Sequence, residues 1–300
     1  MKNVIIAILI LLIFMPIALC NVSPTGSNDQ KQINAAIGSG GKTVILNPGI
    51  YKISAPIVLK SGTVLKGSGD STVIYASGSV CNSESSPAYI YGYNVKNVEI
   101  SSLQFQSSAR GTGDGGHGDA RNAIKLKSVT GAKIHDILFK YYLYCDGVRC
   151  SSSSNINIYN CRIQSGHDGV CLYRCVNSKV YNCDVQVRTN TGTRIDGCSN
   201  IEIYRNTYYG TYGSGWCMLE AESKLSNVNV HNNILGPYRG SSGSYAVAPV
   251  HASGSMSVHD NVLIGGNKIG FGSAKNNIIN PSQKSASYWF GRGYGSSFSK

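Results

Sequence analysis

The sequence predicts an all-β solenoid, and two observations carry that prediction. A short phrase with apolar residues at alternate positions recurs seven times between Asn97 and Leu263, at intervals of about 22 to 34 residues. A period of this length is typical of short strands that stack coil upon coil into a tube. In addition, only 14% of the residues are charged and 35 are glycine, a composition that suits many tight turns.

One alignment column sets the register of the repeats. It contains Leu103, Ile137, Cys161, Cys183, Asn206, Asn233 and Asn261. We expect this column to point into the tube, where a thiol acts as a small buried hydrophobe. The three asparagines predict a ladder of side-chain amides that bond one another and the turn backbone. The column therefore indicates fold and not chemistry.

The N-terminus is typical of a secretory signal. Lys2 is followed by an apolar run from Val4 to Leu19, and Ala18 and Cys20 are small residues at a spacing suited to cleavage before Asn21. A retained membrane anchor is the alternative, although the run is short for a span of ~20 residues. We expect residues 1–20 to be removed and the mature chain to be secreted, without a membrane span.

The next segment predicts a cap and the first coils. Asp29 to Ile37 has the apolar spacing of a short helix, which would cover the open end of the solenoid. After it, Asn47-Pro48-Gly49-Ile50-Tyr51 and Leu65-Lys66-Gly67 separate short strands. This run resembles the opening of right-handed parallel β-helix proteins of the pectate-lyase-like superfamily. The resemblance implies one β-helix domain over residues 21–280, followed by a Gly/Ser/aromatic tail over residues 281–300.

Cysteine spacing gives one candidate disulfide. Cys175 and Cys198 occupy equivalent turn positions on adjacent predicted coils, so an oxidised, secreted chain could join them. No Cys/His spacing in the sequence resembles a zinc site, and we predict no resident metal.

A second column carries the candidate chemistry. Asn122, Asp146, Asp168 and Thr191 each precede a strand residue by two positions. In this register Asp146 and Asp168 lie on adjacent coils, about 5 Å apart, and two carboxylates so close raise one pKa. The alternative is that both aspartates only hold turns through bonds to the backbone.

The short sequence motifs around these aspartates resemble the signature of polygalacturonase-type glycoside hydrolases. In Cys145-Asp146-Gly147 and His167-Asp168-Gly169, Asp146 and Asp168 match two aspartates of that family, whereas His167 replaces the family's acid. The Gly-His-Gly and Arg-Ile-Lys words of the family have no counterpart here. The resemblance implies Asp146 and Asp168 as catalytic carboxylates, and His167 is a candidate general acid because an imidazole beside a carboxylate titrates near neutrality.

A third column contains Lys125, Arg149, Cys171, Arg194 and Cys217, which we expect to point outward, with Tyr173 at the next outward position. A row of cations beside an aromatic ring suits an anionic polysaccharide, and the formal net charge of +12 agrees with such a ligand. A nucleic-acid ligand is disfavoured because we expect the chain to be secreted and it lacks a nucleic-acid fold signature.

Three functions remain open from the sequence. The first is a hydrolase using Asp146, His167 and Asp168, with Lys125, Arg149, Arg188, Arg194 and Tyr173 binding the sugar. The second is a lyase, in which the carboxylates would bind Ca²⁺ and Arg188, Arg194 or Lys125 would remove a proton. The third is a glycan-binding surface or spike protein without activity. A Gly-rich segment, residues 109–121 with Asp114, His117 and Asp119, is expected to form a loop beside this groove or a surface insertion.

Overall fold

Parallel strands form three sheets that wind around a common axis in a computed structural model of the chain. The structure describes residues 19–76, 88–108, 122–143, 146–187, 190–210, 217–236, 245–264 and 268–279, except for the side chains of 141–143 and 209–210. The chain visits sheets A, B and C in turn, and each strand pairs in parallel with its equivalents one coil before and after it. The prediction of a parallel β-helix is confirmed.

Sheet A contains β1 (Leu19–Val22), β2 (Thr43–Leu46), β5 (Val64–Lys66), the first part of β8 (Lys96–Ser107) and of β10 (Thr130–Leu143), β12 (Ser154–Tyr159), β15 (Val176–Tyr181), β18 (Ser199–Tyr204), the last part of β20 (Cys217–His231) and of β22 (Tyr245–His259), and β25 (Ser273–Lys275).

Sheet B contains β3 (Gly49–Ile53), β6 (Thr72–Ala76), the last part of β8 and of β10, β13 (Arg162–Ser165), β16 (Asp184–Val187), β19 (Thr207–Gly210), β21 (Ile234–Leu235), β23 (Val262–Leu263) and β26 (Ile278–Ile279). A single 3₁₀ turn, Gly69–Ser71, precedes β6.

Sheet C contains β4 (Ile57–Val58), β7 (Ala88–Tyr93), β9 (Asn122–Lys127), β11 (Asp146–Ser151), β14 (Val170–Tyr173), β17 (Thr191–Asp196), the first part of β20 and of β22, and β24 (Lys268–Ile269).

The predicted capping helix is α1, Gln30–Ile37. Ile33 and Ile37 are fully buried, so the apolar side of the helix covers the first coils as its spacing predicted. One strand, β1, lies before the helix and pairs with β2, whereas the sequence had placed the helix ahead of the first strand. Of the predicted leader, residues 1–18 lie outside the described residues, whereas Leu19 and Cys20 begin β1 and pair with β2. The 109–121 segment and the predicted tail, residues 281–300, also lie outside the described residues.

The inward column is confirmed in every coil. Its members are buried, and the adjoining strand pairs place each one beside the next. Asn233 shows the ladder at its most complete: its Nδ2 donates to Asn261 Oδ1 at 2.9 Å, and its Oδ1 accepts from Asn206 N at 2.9 Å. Asn277 extends the ladder by one more coil, through Asn261 N to Asn277 Oδ1 at 3.0 Å. Each buried amide is thereby satisfied without a charge.

The candidate disulfide between Cys175 and Cys198 is not formed. Both residues are buried free thiols, although they do lie on adjacent coils, with Cys175 N 3.3 Å from Cys198 Sγ. Each thiol donates to a backbone carbonyl of the preceding coil, Cys175 to Cys150 O and Cys198 to Leu172 O, both at 3.3 Å. The sulfur atoms therefore act as ladder donors, in the way the asparagine amides do.

No helix among the described residues is long and apolar enough to span a membrane.

Candidate functional site

Sheet C brings the predicted aspartates together. Its register pairs Asn122 with Asp146, Val148 with Val170 and Val170 with Thr193, which confirms the column through Asp168 and Thr191. A glycine follows the last three members of this column because the coils approach too closely for a side chain. A Cβ on Gly169, for example, would lie 2.5 Å from the carbonyl oxygen of Gly192 and 2.3 Å from Val185.

Asp146, His167 and Asp168 form one compact cluster. His167 Nδ1 lies 2.8 Å from Asp146 Oδ1 and 3.6 Å from Asp168 Oδ1. The backbone N of Asp168 donates to Asp146 Oδ1 at 3.1 Å, so this one carboxylate oxygen contacts both His167 Nδ1 and the Asp168 backbone N–H. On the other side, Asn190 Nδ2 donates to Asp168 Oδ1 at 2.6 Å, and Thr191 N does so at 3.3 Å.

The three members differ in their access to solvent. Asp168 is 0% exposed and Asp146 is 6% exposed, whereas the His167 side chain is 15% exposed. Both aspartates accept backbone hydrogen bonds from the next coil, as the turn-holding alternative predicted. His167 is therefore the member of the cluster with the greatest access to solvent.

Burial and charge separate the pKa values of the two carboxyls. Burial opposes ionisation of Asp146, but the hydrogen bond from His167 and the charges of His167 and Arg149 lower its pKa overall. For Asp168, burial and the nearby charge of Asp146 raise the pKa to about 7, in spite of His167 and Arg194. The predicted difference between the two pKa values is present, and Asp146 is the carboxyl that is ionised.

The pKa of His167 is raised. Burial acts to lower it, but the hydrogen bond to Asp146 and the charges of Asp168 and Asp146 outweigh burial. Because Asp146 is ionised and can only accept, Nδ1 carries a hydrogen and donates it to Oδ1. Nε2 is then the ring nitrogen at which His167 gains or loses its second proton.

The arginines of the third column are paired with acidic side chains. Arg149 Nη1 lies 3.6 Å from Asp146 Oδ2, and it donates to Cys171 Sγ at 3.4 Å. Arg194 forms a tighter pair, with Nη2 at 2.8 Å and Nε at 2.9 Å from Glu220 Oε1. Two of the cations expected to bind an anionic sugar are thus already neutralised within the protein.

The register of this column is as predicted from Lys125 to Arg194 and is wrong at its last member. Lys125 and Cys171 are buried, so the column is not an exposed row. Cys217 pairs with Thr191 in the aspartate column, and Glu220 is the residue opposite Arg194. The longer connection before β20 concealed this shift of three positions, and Glu220 is consequently the functional neighbour that the sequence reasoning missed.

The remaining predicted site residues are placed as follows. Tyr173 lies on the outside of β14, partly exposed, with the guanidinium of Arg174 4.9 Å from its ring centre. Arg188 lies outside the described residues. Asn190, which the sequence reasoning did not select as a site residue, makes the shortest hydrogen bond to Asp168.

Calcium does not fit this cluster. Asp146, His167 and Asp168 do offer one donor atom each within 4.8 Å of one another. However, three of the four carboxylate oxygens face N–H donors or Arg149, and the fourth, Asp168 Oδ2, lies 3.9 Å from Arg194 Nε. Ca²⁺ requires six to eight oxygen ligands.

A proton-abstracting Arg194 is equally unsuited to this site. Burial acts to lower the pKa of its guanidinium, but the charges of Asp168 and Glu220 outweigh burial and raise it. A group held so firmly in its charged form does not serve as a base.

The chain belongs to the family of right-handed β-helix regions, which matches residues 59–269. No curated protein sequence gives a match.

Three solved structures illustrate the likeness of fold. DFA-IIIase from Arthrobacter chlorophenolicus A6 has a TM-score of 0.62 at 13% identity, over 82% of this chain and 68% of that one. The gp42 tailspike of Acinetobacter phage vb_AbaP_AS12 scores 0.59 at 12% identity, over 82% of this chain and 46% of the tailspike. PfbA, a surface adhesin of Streptococcus pneumoniae, scores 0.53 at 12% identity, over 87% and 90%. At these identities the likeness shows a shared fold alone.

Proposed function

We propose that the protein is exported and cleaves glycosidic bonds in a polysaccharide, with His167 as its acid. One observation carries the proposal: the partly exposed His167 is held by the buried anion of Asp146 at 2.8 Å. This pair fixes the tautomer of the ring and keeps it protonated near neutral pH. This geometry supports an acid–base role in addition to the bonds by which the aspartates hold the turns. The similar structures, an enzyme, a tailspike and an adhesin, support a carbohydrate partner.

In the proposed reaction His167 Nε2–H donates its proton to the glycosidic oxygen as the bond from that oxygen to the anomeric carbon breaks. Water adds at the anomeric carbon, and the proton it releases restores His167. Asp146 and Asp168 act through His167, because Asp168 has no exposed surface with which to touch a substrate. This modifies the polygalacturonase-like scheme, in which both carboxylates act on the sugar.

The test is release of reducing ends from polygalacturonate, alginate, glucomannan and xylan by wild-type protein and His167→Asn. The Asn side chain retains an N–H near the place of Nδ1 and so keeps the bond to Asp146, but it has no proton to donate. A matched control is His251→Asn, because His251 is exposed and has a positive φ that Asn tolerates. We expect activity in wild type and the control and a loss of at least ~100-fold in His167→Asn. Equal activity in all three would refute the role of His167.

A second function is favoured by the burial of Asp168 and the pairing of Arg149 and Arg194. A protein of this fold that only binds a glycan would keep such a cluster for turn geometry. It would retain polysaccharide in a binding assay and release no reducing ends from any member of the panel. That result would replace the enzymatic proposal with this one.

A further inference from the structure

The outer surface of sheet A has three parallel columns of side chains, and it is separate from the His167 cluster on sheet C. The amide column contains Asn97, Asn155, Asn177, Asn200 and Asn227, with Gly131 in register between the first two. The charged column contains Glu99, Lys133, Asn157, Lys179, Glu202 and Asn229. The ring column contains His135, Tyr159, Tyr181, Tyr204, His231 and His259.

The amide column presents exposed hydrogen-bonding groups once per coil. All five asparagines are exposed and have φ between 51° and 56°, a conformation that selects Asn or Gly. Asn200 Nδ2 donates to Asn177 Oδ1, and Asn227 Nδ2 donates to Asn200 Oδ1, both at 2.9 Å. Asn200 uses one N–H and one lone pair in these bonds, and a side-chain amide has a second N–H and a second lone pair with which it can bind a ligand.

The charged column is internally balanced. Lys179 Nζ lies 2.7 Å from Glu202 Oε2, and His231 Nε2 lies 3.4 Å from Glu202 Oε1. Glu99 is paired with His135 at 3.4 Å, and Lys133 supplies the second positive charge. The lysines and glutamates of the column therefore cancel, although the whole chain carries a net charge of +12.

The ring column forms a rigid border. Its ring centres are 4.6 to 5.3 Å apart, and neighbouring planes lie within 7° of parallel. Neighbouring rings cover each other's faces, so the column offers hydroxyl and imidazole edges to a ligand instead of apolar faces.

Shallow depressions lie between the amide and charged columns. One has a volume of about 320 Å³ and is lined by Asn97, Glu99, Lys133, Asn155 and Asn157. The next has a volume of about 360 Å³ and is lined by the same two columns from Asn177 to Asn229. A third, of about 500 Å³, continues the line past Asn227 to Phe271. Together they form a groove parallel to the solenoid axis.

We propose that this groove binds an uncharged, linear polysaccharide lying along the axis. Except at Gly131, the amide column repeats its donors and acceptors every ~4.8 Å, and a 1,4-linked pyranose chain advances by a similar length per sugar. A polyhydroxylated ligand uses donors and acceptors together, and the balanced charges favour a neutral chain over an acidic one. Between β8 and β20, Val176 is the one large hydrophobic side chain of this sheet exposed by more than a third among the described residues, which disfavours a protein partner.

The experiment measures affinity electrophoresis in gels that contain glucomannan, a neutral polymer, or polygalacturonate, an acidic one. The variant is Asn177→Gly/Asn200→Gly, which removes two amides and keeps a backbone that Gly131 already shows to be compatible with glycine. The matched control is Asn94→Gly/Asn276→Gly, two asparagines of the same conformation outside the groove. We expect the wild type and the control to be retarded by glucomannan and the groove variant to bind about tenfold more weakly.

Three results would overturn the proposal: equal weakening of both double variants, unchanged binding by the groove variant, or no retardation of wild type by glucomannan. Stronger binding of polygalacturonate, insensitive to the groove variant, would also contradict it. His167→Asn should bind glucomannan like wild type, so this test fails or succeeds independently of the catalytic proposal.

Discussion

Replacing Asp168 by Asn should change the free energy of unfolding in a strongly pH-dependent way. The carboxyl is completely buried, and its pKa is about 7 in the folded protein against an ordinary 3.8. A shift of about 3 units corresponds to about 4 kcal/mol at ~1.4 kcal/mol per unit. In the unfolded chain the group ionises near pH 4, whereas in the folded chain it holds its proton until about pH 7. The contribution of this carboxyl to the free energy of unfolding is therefore complete below pH 4, and it is lost as the pH rises to about 7.

The amide of the Asp168→Asn variant would avoid that loss, because it has no proton to release. Its Oδ1 can accept from Asn190 and Thr191 as the carboxylate does. Its Nδ2 would take the place of Asp168 Oδ2, which has no hydrogen-bond partner among the described residues and lies 3.9 Å from Arg194 Nε. Placing this N–H donor beside the guanidinium should lower the free energy of unfolding by about 1 kcal/mol. Asp168→Asn should be slightly destabilising at pH 4 and stabilising by up to about 3 kcal/mol at pH 8.

The measurement is urea unfolding of wild type and Asp168→Asn at pH 4 and pH 8, followed by circular dichroism. At each pH the free energy of unfolding of wild type is subtracted from that of the variant, so the titration of the other groups cancels. The control is Asp70→Asn, because Asp70 is exposed. A difference that is the same at both pH values would refute the argument. Greater destabilisation at pH 8 would show instead that the neighbouring cations hold Asp168 ionised.

Three further predictions concern the scaffold. Gly169→Ala should lower the free energy of unfolding by about 1–3 kcal/mol in thermal or urea melts, because its Cβ has no room beside Gly192 and Val185; a neutral effect would mean that the coils can separate. Asn233→Ala should cost about 2–5 kcal/mol, because it leaves buried ladder groups unbonded, and Asn229→Ala at the surface should cost far less. Cys175 and Cys198 should react with a maleimide only after unfolding, and non-reducing mass spectrometry of the native protein should show no bond between them; a cross-linked product would contradict the ladder role of these thiols.

The fold was predictable because its determinants recur. Leu103, Cys161 and Asn233 share no chemistry, yet each is followed by the same alternation of apolar residues, and the period alone places them in one inward column. Where a connection lengthens, as before β20, period counting fails. It placed Cys217 opposite Arg194, whereas backbone pairing places Glu220 there.

The electrostatics of the site were less predictable, because they depend on contacts between coils. Net charge indicated a basic surface for an acidic sugar. The structure shows Arg194 bound by Glu220, which lies 26 residues later, and Arg149 beside Asp146. A charge count along the sequence does not register such pairing, since Glu220 lies one coil after Arg194 and the count sums Asp146 and Arg149 without placing them side by side.

The proposed role of Asp146 is supported by a comparison with the neutral side chains at equivalent buried positions. In the buried ladder of Asn206, Asn233 and Asn261 the coil-to-coil bonds are made by neutral amides, and Asn122 occupies the aspartate column one coil before Asp146. An ionised carboxylate at 6% exposure carries a desolvation cost that Asn would avoid. Asp146→Asn should therefore fold and melt within about 1–2 kcal/mol of wild type. The pKa of His167, followed by NMR of its ring protons, should fall, because an amide cannot stabilise the imidazolium as the anion does. An unchanged His167 pKa would show that Asp146 does not tune the ring and would remove the physical basis for the proposed acid.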